Sequence, residues 1–114
     1  MKHTIDAQGK KIGRIASEAA SCLMGKKSTS FAKNVVADAQ VEIVNASKAD
    51  VTTRKKESDV YVRYTGHRGG LKSETLGELI ARRGMTEVFE RAVYRMLPDN
   101  KLRNLRIKNL TIKE

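Results

Sequence analysis

Tryptophan is absent from this chain of 114 residues, which has one cysteine, one proline, two histidines and only five Tyr or Phe. The lone cysteine, Cys22, excludes an internal disulfide and fits a reducing compartment. One cysteine with His3 and His67 cannot assemble a usual zinc site. The scarcity of aromatics confines any base stacking to local spots. No apolar run approaches the roughly 20 residues that span a bilayer. The opening Met1-Lys2-His3-Thr4-Ile5-Asp6 lacks the apolar core of a signal peptide. A cytoplasmic chain without a membrane partner is expected. The apolar share of 39% supports a modest core but is lean for a free-standing enzyme.

Acids are also in deficit. Lys and Arg number 23 against 13 Asp and Glu, a formal net charge of +10, and the pI is near 10.0. That balance marks nucleic-acid binders, because the self-repulsion of the folded chain is relieved by a polyanion. The cations are unevenly spread. Residues 1–53 hold eight Lys/Arg and five Asp/Glu, net +3; residues 54–114 hold fifteen and eight, net +7. The second half is the expected electrostatic face.

The length suits one domain over residues 1–114. His3 to Asp6 reads as a short strand and Ala7-Gln8-Gly9 as a turn. Ile12, Ile15, Ala16, Ala19, Ala20 and Leu23 then recur at helical spacing, and Gly25 is a C-terminal cap. Cys22 beside this stripe reads as a small core residue. Val41 to Asn45 is the clearest strand, so strand, helix and strand suggest a right-handed parallel crossover. Ala46 to Val51 reads as one helical turn, Thr52 to Asp59 as a charged connector, and Val60 to Tyr64 as another strand. Ser73 is the expected cap of a helix carrying Leu76, Leu79 and Ile80, ended by Gly84. Thr86 is the expected cap of the next, whose stripe is Val88, Phe89, Ala92, Val93, Met96 and Leu97, stopped by Pro98. Leu102 and Leu105 fall on a last short helix, and Leu110 to Ile112 on a final strand. Such alternation predicts an α/β fold: a single three-layer α/β/α domain with a small, mostly parallel four-stranded sheet.

The most informative stretch runs from Val60 to Lys72. An alternating strand gives way to a basic, glycine-rich loop that holds Arg63, Tyr64, Thr65, Gly66, His67, Arg68, Gly69, Gly70 and Lys72. Tyr and His stack on bases, Arg also forks onto phosphate, and glycine lets a backbone approach a ligand. Elsewhere Lys10, Lys11 and Arg14 gather at the first helix start, against the dipole preference, where a phosphate would offset the cost. Lys26 and Lys27 follow the same helix. Arg54 and Lys55 lie in the connector, and Lys101, Arg103 and Arg106 crowd a segment whose only acid is Asp99.

Catalytic patterns fail on spacing. Gly9-Lys10-Lys11-Ile12-Gly13 has two of the three glycines of a dinucleotide fingerprint, wrongly spaced. Gly25-Lys26-Lys27-Ser28 resembles part of a phosphate loop, but Ala20 stands where its first glycine belongs. Ser58, Asp59 and His67 are triad residue types without triad spacing logic. Glu87 and Glu90 suit a helix start. No small-molecule substrate, cofactor or metal is expected.

Five segments, in order, are similar to the universal large-subunit ribosomal protein thirteen family. They are Asp6–Lys10 with Gly13–Ala16 through Lys26, then Val44–Lys48, Tyr61–His67, Gly69–Lys72, and Ala92-Val93 with Met96–Pro98. The resemblance runs from about Ile5 to Ile112. It implies an α/β/α fold and a non-catalytic constituent of the large ribosomal subunit. The implied partners are large-subunit ribosomal RNA, bound early in assembly, and neighbouring large-subunit proteins. In the matching motifs it places RNA contact on Lys10, Arg14, Lys26, Lys48, Thr65, Gly66, His67, Gly70 and Lys72. The chain departs from the family pattern at Thr53 (usually Gly), Arg95 (usually small), Asp99 (usually Lys) and Leu102-Arg103-Asn104 (usually Leu-Gly-Arg). A regulatory RNA-binding protein acting outside the ribosome is the alternative function.

Overall fold

The computed structural model describes residues 2–26, 36 and 39–114. Along the chain lie β1 (Lys2–Asp6), α1 (Ile12–Met24), β2 (Gln40–Val44), a 3-10 turn (Ala46–Lys48), α2 (Thr53–Ser58), β3 (Val60–Tyr64), β4 (Leu71–Thr75), α3 (Leu76–Met96), α4 (Leu102–Ile107) and β5 (Leu110–Ile112).

Helix α1 forms where the apolar stripe lay. Ile15, Ala16, Ala19 and Leu23 are buried on one side of it, with Cys22 among them as a core residue. Gly25 stops the helix in the left-handed region at φ 81, and its N–H donates back to the Cys22 carbonyl at 3.1 Å. Strands β1, β2 and β5 form one parallel sheet in the order β1-β2-β5, with Ile5 beside Ile43 and Ile43 beside Ile112.

That order governs the layering. Both crossovers advance in the same direction across the sheet, so two right-handed connections put their helices on the same face. Helices α1 and α3 accordingly pack on each other, above Ile5, Val41 and Ile43. Leu76, Leu79, Phe89 and Val93 fill the space between, with no exposed surface. Burial of each such side chain stabilises the fold by about 1.5–3 kcal/mol. Among the described residues the opposite sheet face is mostly polar, with the half-buried Val44 at its end beside Asp6. Lys2, Thr4, Asp6, Gln40 and Thr111 are exposed there, and Glu42 is clamped by Lys2 at 3.0 Å and Lys113 at 2.8 Å. Hydrogen bonds from Lys113 and then Lys2 hold the Glu42 carboxyl below its ordinary pKa. Among the described residues, then, the packed helices α1 and α3 lie on one face of the sheet.

The sheet itself requires a correction. Among the described residues it has three strands rather than four, and β3 pairs instead with β4 in a separate antiparallel hairpin, Val60 opposite Thr75 and Tyr64 opposite Leu71. The glycine-rich loop reverses the chain and supplies β3 with a partner of its own. Three smaller expectations also change. Thr52 to Asp59 is not a bare connector, because the Thr52 hydroxyl accepts the Lys55 N–H at 3.2 Å and starts α2. Ser73 lies inside β4. The cap of α3 is Thr75, in a reciprocal capping box with Glu78. Gly84, at φ 79 and ψ 179, breaks the helical path as expected. Beyond it the Met85 N–H is taken by Glu114 Oε1 at 3.1 Å, the role anticipated for the Thr86 side chain.

Candidate nucleic-acid interface

Two turns leave the carboxyl ends of the neighbouring parallel strands β1 and β2, the edge at which open parallel sheets bind ligands. The Gly9 N–H donates to the Lys48 carbonyl at 3.0 Å, and the Asp50 N–H to the Lys10 carbonyl at 2.9 Å. These bonds bring Lys10, Lys11 and Lys48 into one exposed patch, with Arg14 exposed on the first turn of α1. That turn holds no acid and has no side-chain cap, so the positive helix end meets further positive charge. Lys11 is paired with Asp50 at 2.6 Å. Asp6, which accepts from the Gln8 N–H and from Asn45 Nδ2, both at 3.0 Å, has its pKa lowered by those bonds and remains a carboxylate beside Lys10 and Lys48.

Lys26 is exposed past the other end of α1, about 20 Å away along a 13-residue helix. Lys27 lies outside the described residues. Arg54 and Lys55 are exposed on α2, with Lys55 close to Asp59 at 3.4 Å.

The glycine-rich motif is the tip of the β3–β4 hairpin. The Thr65 N–H donates to the Gly70 carbonyl at 3.1 Å, and the Gly70 N–H to the His67 carbonyl at 2.9 Å. Thr65, Gly66, His67, Arg68 and Gly69 are all exposed on this loop, and Gly66 and Gly69 take left-handed conformations at φ 85 and 72. Gly70 is different. It is buried, and a Cβ there would overlap the Thr65 hydroxyl and stand 2.8 Å from the His67 carbonyl oxygen. On one side the hairpin leaves Val60, Val62, Tyr64 and Leu71 more than half exposed.

Its other side forms a wall of a groove of about 680 Å³ against α3. Tyr61, Arg63, Lys72 and Glu74 come from the hairpin; Arg82, Arg91, Tyr94 and Arg95 come from α3. Arg63 and Lys72 stand directly opposite each other across the strands. Glu74 is the one carboxylate in the lining. It is bound through both oxygens by Arg82, at 2.6 and 3.1 Å, which lowers its pKa. Arg91 and Arg95 lie over the Tyr61 ring at 5.5 and 5.7 Å. Burial, followed by the nearby Asp59 charge, raises the Tyr61 hydroxyl pKa. Sequence reasoning missed this groove. Arg95 stands out there only as a departure from the family pattern, although Arg91 and Arg95 sit one helical turn apart. Alternation along β3 also puts Tyr61 and Arg63 on a common side.

The last basic cluster is dispersed. Lys101 is exposed. Arg103 is turned inward: its Nε donates to the Tyr94 carbonyl at 2.8 Å, its guanidinium covers the Tyr94 ring at 3.8 Å, and it pairs with Asp99 at 3.1 Å. Arg106 is 2% exposed. The expectation of a surface RNA contact there is corrected, because α4 packs against α1 and α3 and points Arg106 inward while Leu105 stays outside.

Among the described residues no group of three or more His, Cys, Asp or Glu could hold a metal ion, and no helix is long and apolar enough to cross a membrane. A small basic α/β fold with cations on a sheet edge, a protruding hairpin and a groove has the form of a polyanion-binding module. The chain belongs to the ribosomal protein L13 family, whose model matches residues 1–113. It is similar to the large ribosomal subunit protein uL13 of Mycoplasmopsis agalactiae, at 41% identity over 95% of this chain and 74% of that protein. It is 41% identical to the uL13 of Dehalococcoides mccartyi, over 88% of this chain and 69% of that protein. For the uL13 of Staphylococcus haemolyticus the identity is 36%, over 96% of this chain and 75% of that protein.

Proposed function

We propose that the chain is a structural constituent of the large ribosomal subunit that binds large-subunit ribosomal RNA and supports early subunit assembly in the cytoplasm. Membership of the L13 family over nearly the whole length carries this reading. The role is non-catalytic, as befits a family of structural ribosomal proteins. The folded domain acts as a rigid presenter of cations. Its sheet-edge patch and its hairpin tip meet phosphates, 2′-hydroxyls and unpaired bases, the features that A-form RNA offers, since the deep major groove is closed to side chains. Counterions leave as the cations arrive. Two separated contact regions on one body fix the relative placement of RNA segments, and neighbouring subunit proteins complete the surroundings.

The hairpin contribution is tested with Arg63→Ala combined with Arg68→Ala. Both side chains are exposed, so the circular dichroism spectrum and melting temperature should stay as in the parent. Affinity for a large-subunit RNA fragment should fall, and the dependence of log K on log salt should flatten by about two. An unchanged affinity and slope across the salt series would remove the loop from the interface.

A further inference from the structure

We infer that the groove between the β3–β4 hairpin and α3 is a subsite for one unpaired, splayed-out nucleotide of the bound RNA. The inference rests on the RNA-binding reading above and adds a ligand class and a place.

The electrostatics point first to an anion. Five cations, Arg63, Lys72, Arg82, Arg91 and Arg95, line the groove with a single carboxylate, Glu74. Glu74 is committed to Arg82 and Arg91 to Glu87. Two juxtapositions remain that the fold by itself disfavours. Arg63 faces Lys72 across the hairpin, and like charges directly opposite destabilise a strand pair. Arg91 and Arg95 are four residues apart on a helix, the spacing at which like charges repel. A phosphate between the two walls relieves both at once.

Aromatic placement then points to a base. Tyr61 and Tyr94 line the same groove. The Tyr61 ring is already covered by Arg91 and Arg95. The Tyr94 ring is braced by Arg103 at 3.8 Å, which holds it as a fixed platform. Aromatic platforms beside a cationic groove are how single-stranded nucleic acid is held without sequence preference. A cavity of about 680 Å³ is also of the size that holds a small organic ligand. A paired base within a duplex cannot enter it. The phosphate therefore lies by Arg63, Lys72 and Arg95, and the base stacks on Tyr94.

The test uses the full chain and two fluorescent RNA probes of equal charge, a mixed-sequence single strand and a blunt duplex. The parent should favour the single strand. Tyr94→Leu, which removes the ring without changing charge, should weaken single-strand binding about tenfold, as expected for loss of one base stack. The same variant should leave the duplex affinity and both salt slopes unchanged. Tyr94→Phe should restore single-strand binding, and Arg95→Gln should flatten the single-strand salt slope by about one. Equal affinity of the parent for both probes, or a Tyr94→Leu variant that binds the single strand like the parent, would overturn the subsite while leaving RNA binding intact. If the parent bound neither probe nor ribosomal RNA at low salt, the RNA-binding reading itself would fall.

Discussion

Affinity for large-subunit ribosomal RNA is expected to fall by about 10³–10⁵ between about 50 mM and about 200 mM salt, the loss that follows from roughly six to ten phosphate contacts. The surface supports that number. Lys10, Lys11, Arg14 and Lys48 form the sheet-edge patch, while Arg63, Arg68 and Lys72 belong to the hairpin, all exposed. Lys26, Arg54, Lys55 and Lys101 are exposed as well. Each contact releases counterions whose entropy depends on bulk salt, so the effect multiplies over contacts. Of the sheet-edge cations Lys11 already has a carboxylate partner, which reduces its share. The measurement is a binding series in which only salt varies. A loss smaller than tenfold over that range would leave no room for six phosphate contacts.

Gly70→Val is expected to cost the most of any single change in the loop. The new Cβ would overlap the Thr65 hydroxyl and press on the His67 carbonyl at 2.8 Å. A threonine side chain can rotate aside. The carbonyl cannot, since it accepts the Gly70 N–H at 2.9 Å and so holds the loop closed. Overpacking of this kind costs about 1–3 kcal/mol. A two-stranded hairpin is marginal by itself and depends on its packing against α3. The variant should melt about 5–15 °C lower and bind the RNA fragment at least about tenfold more weakly. Parent-like melting and binding together would show that the loop accommodates a side chain at this position.

How far the sequence discloses this molecule depends on how local the cause is. Helix α1 and strand β2 are legible because their apolar residues recur at helix or strand spacing and are buried accordingly, while β1 offers only Ile5 and β5 the half-buried Leu110 and Ile112. Helix α2 was not, since Thr-Arg-Lys-Lys-Glu-Ser buries nothing; it exists through the Thr52 cap. Strand β4 holds one apolar residue, Leu71, and that side chain is exposed, so its pairing with β3 left no pattern to read. The hairpin loop was legible as a basic glycine-rich motif. The groove behind it was not, because Tyr61 and Arg95 meet only when the hairpin folds onto α3. Arg106 shows the converse: its charge suggested a surface, whereas the packing of α4 put it inside.

Sucrose-gradient sedimentation of a tagged copy from cell lysate, quantified after a high-salt wash, tests the central claim most directly. Stoichiometric retention in the large ribosomal subunit is expected, because many simultaneous contacts resist a wash that strips a singly bound protein. Absence from the subunit at every salt concentration would contradict it.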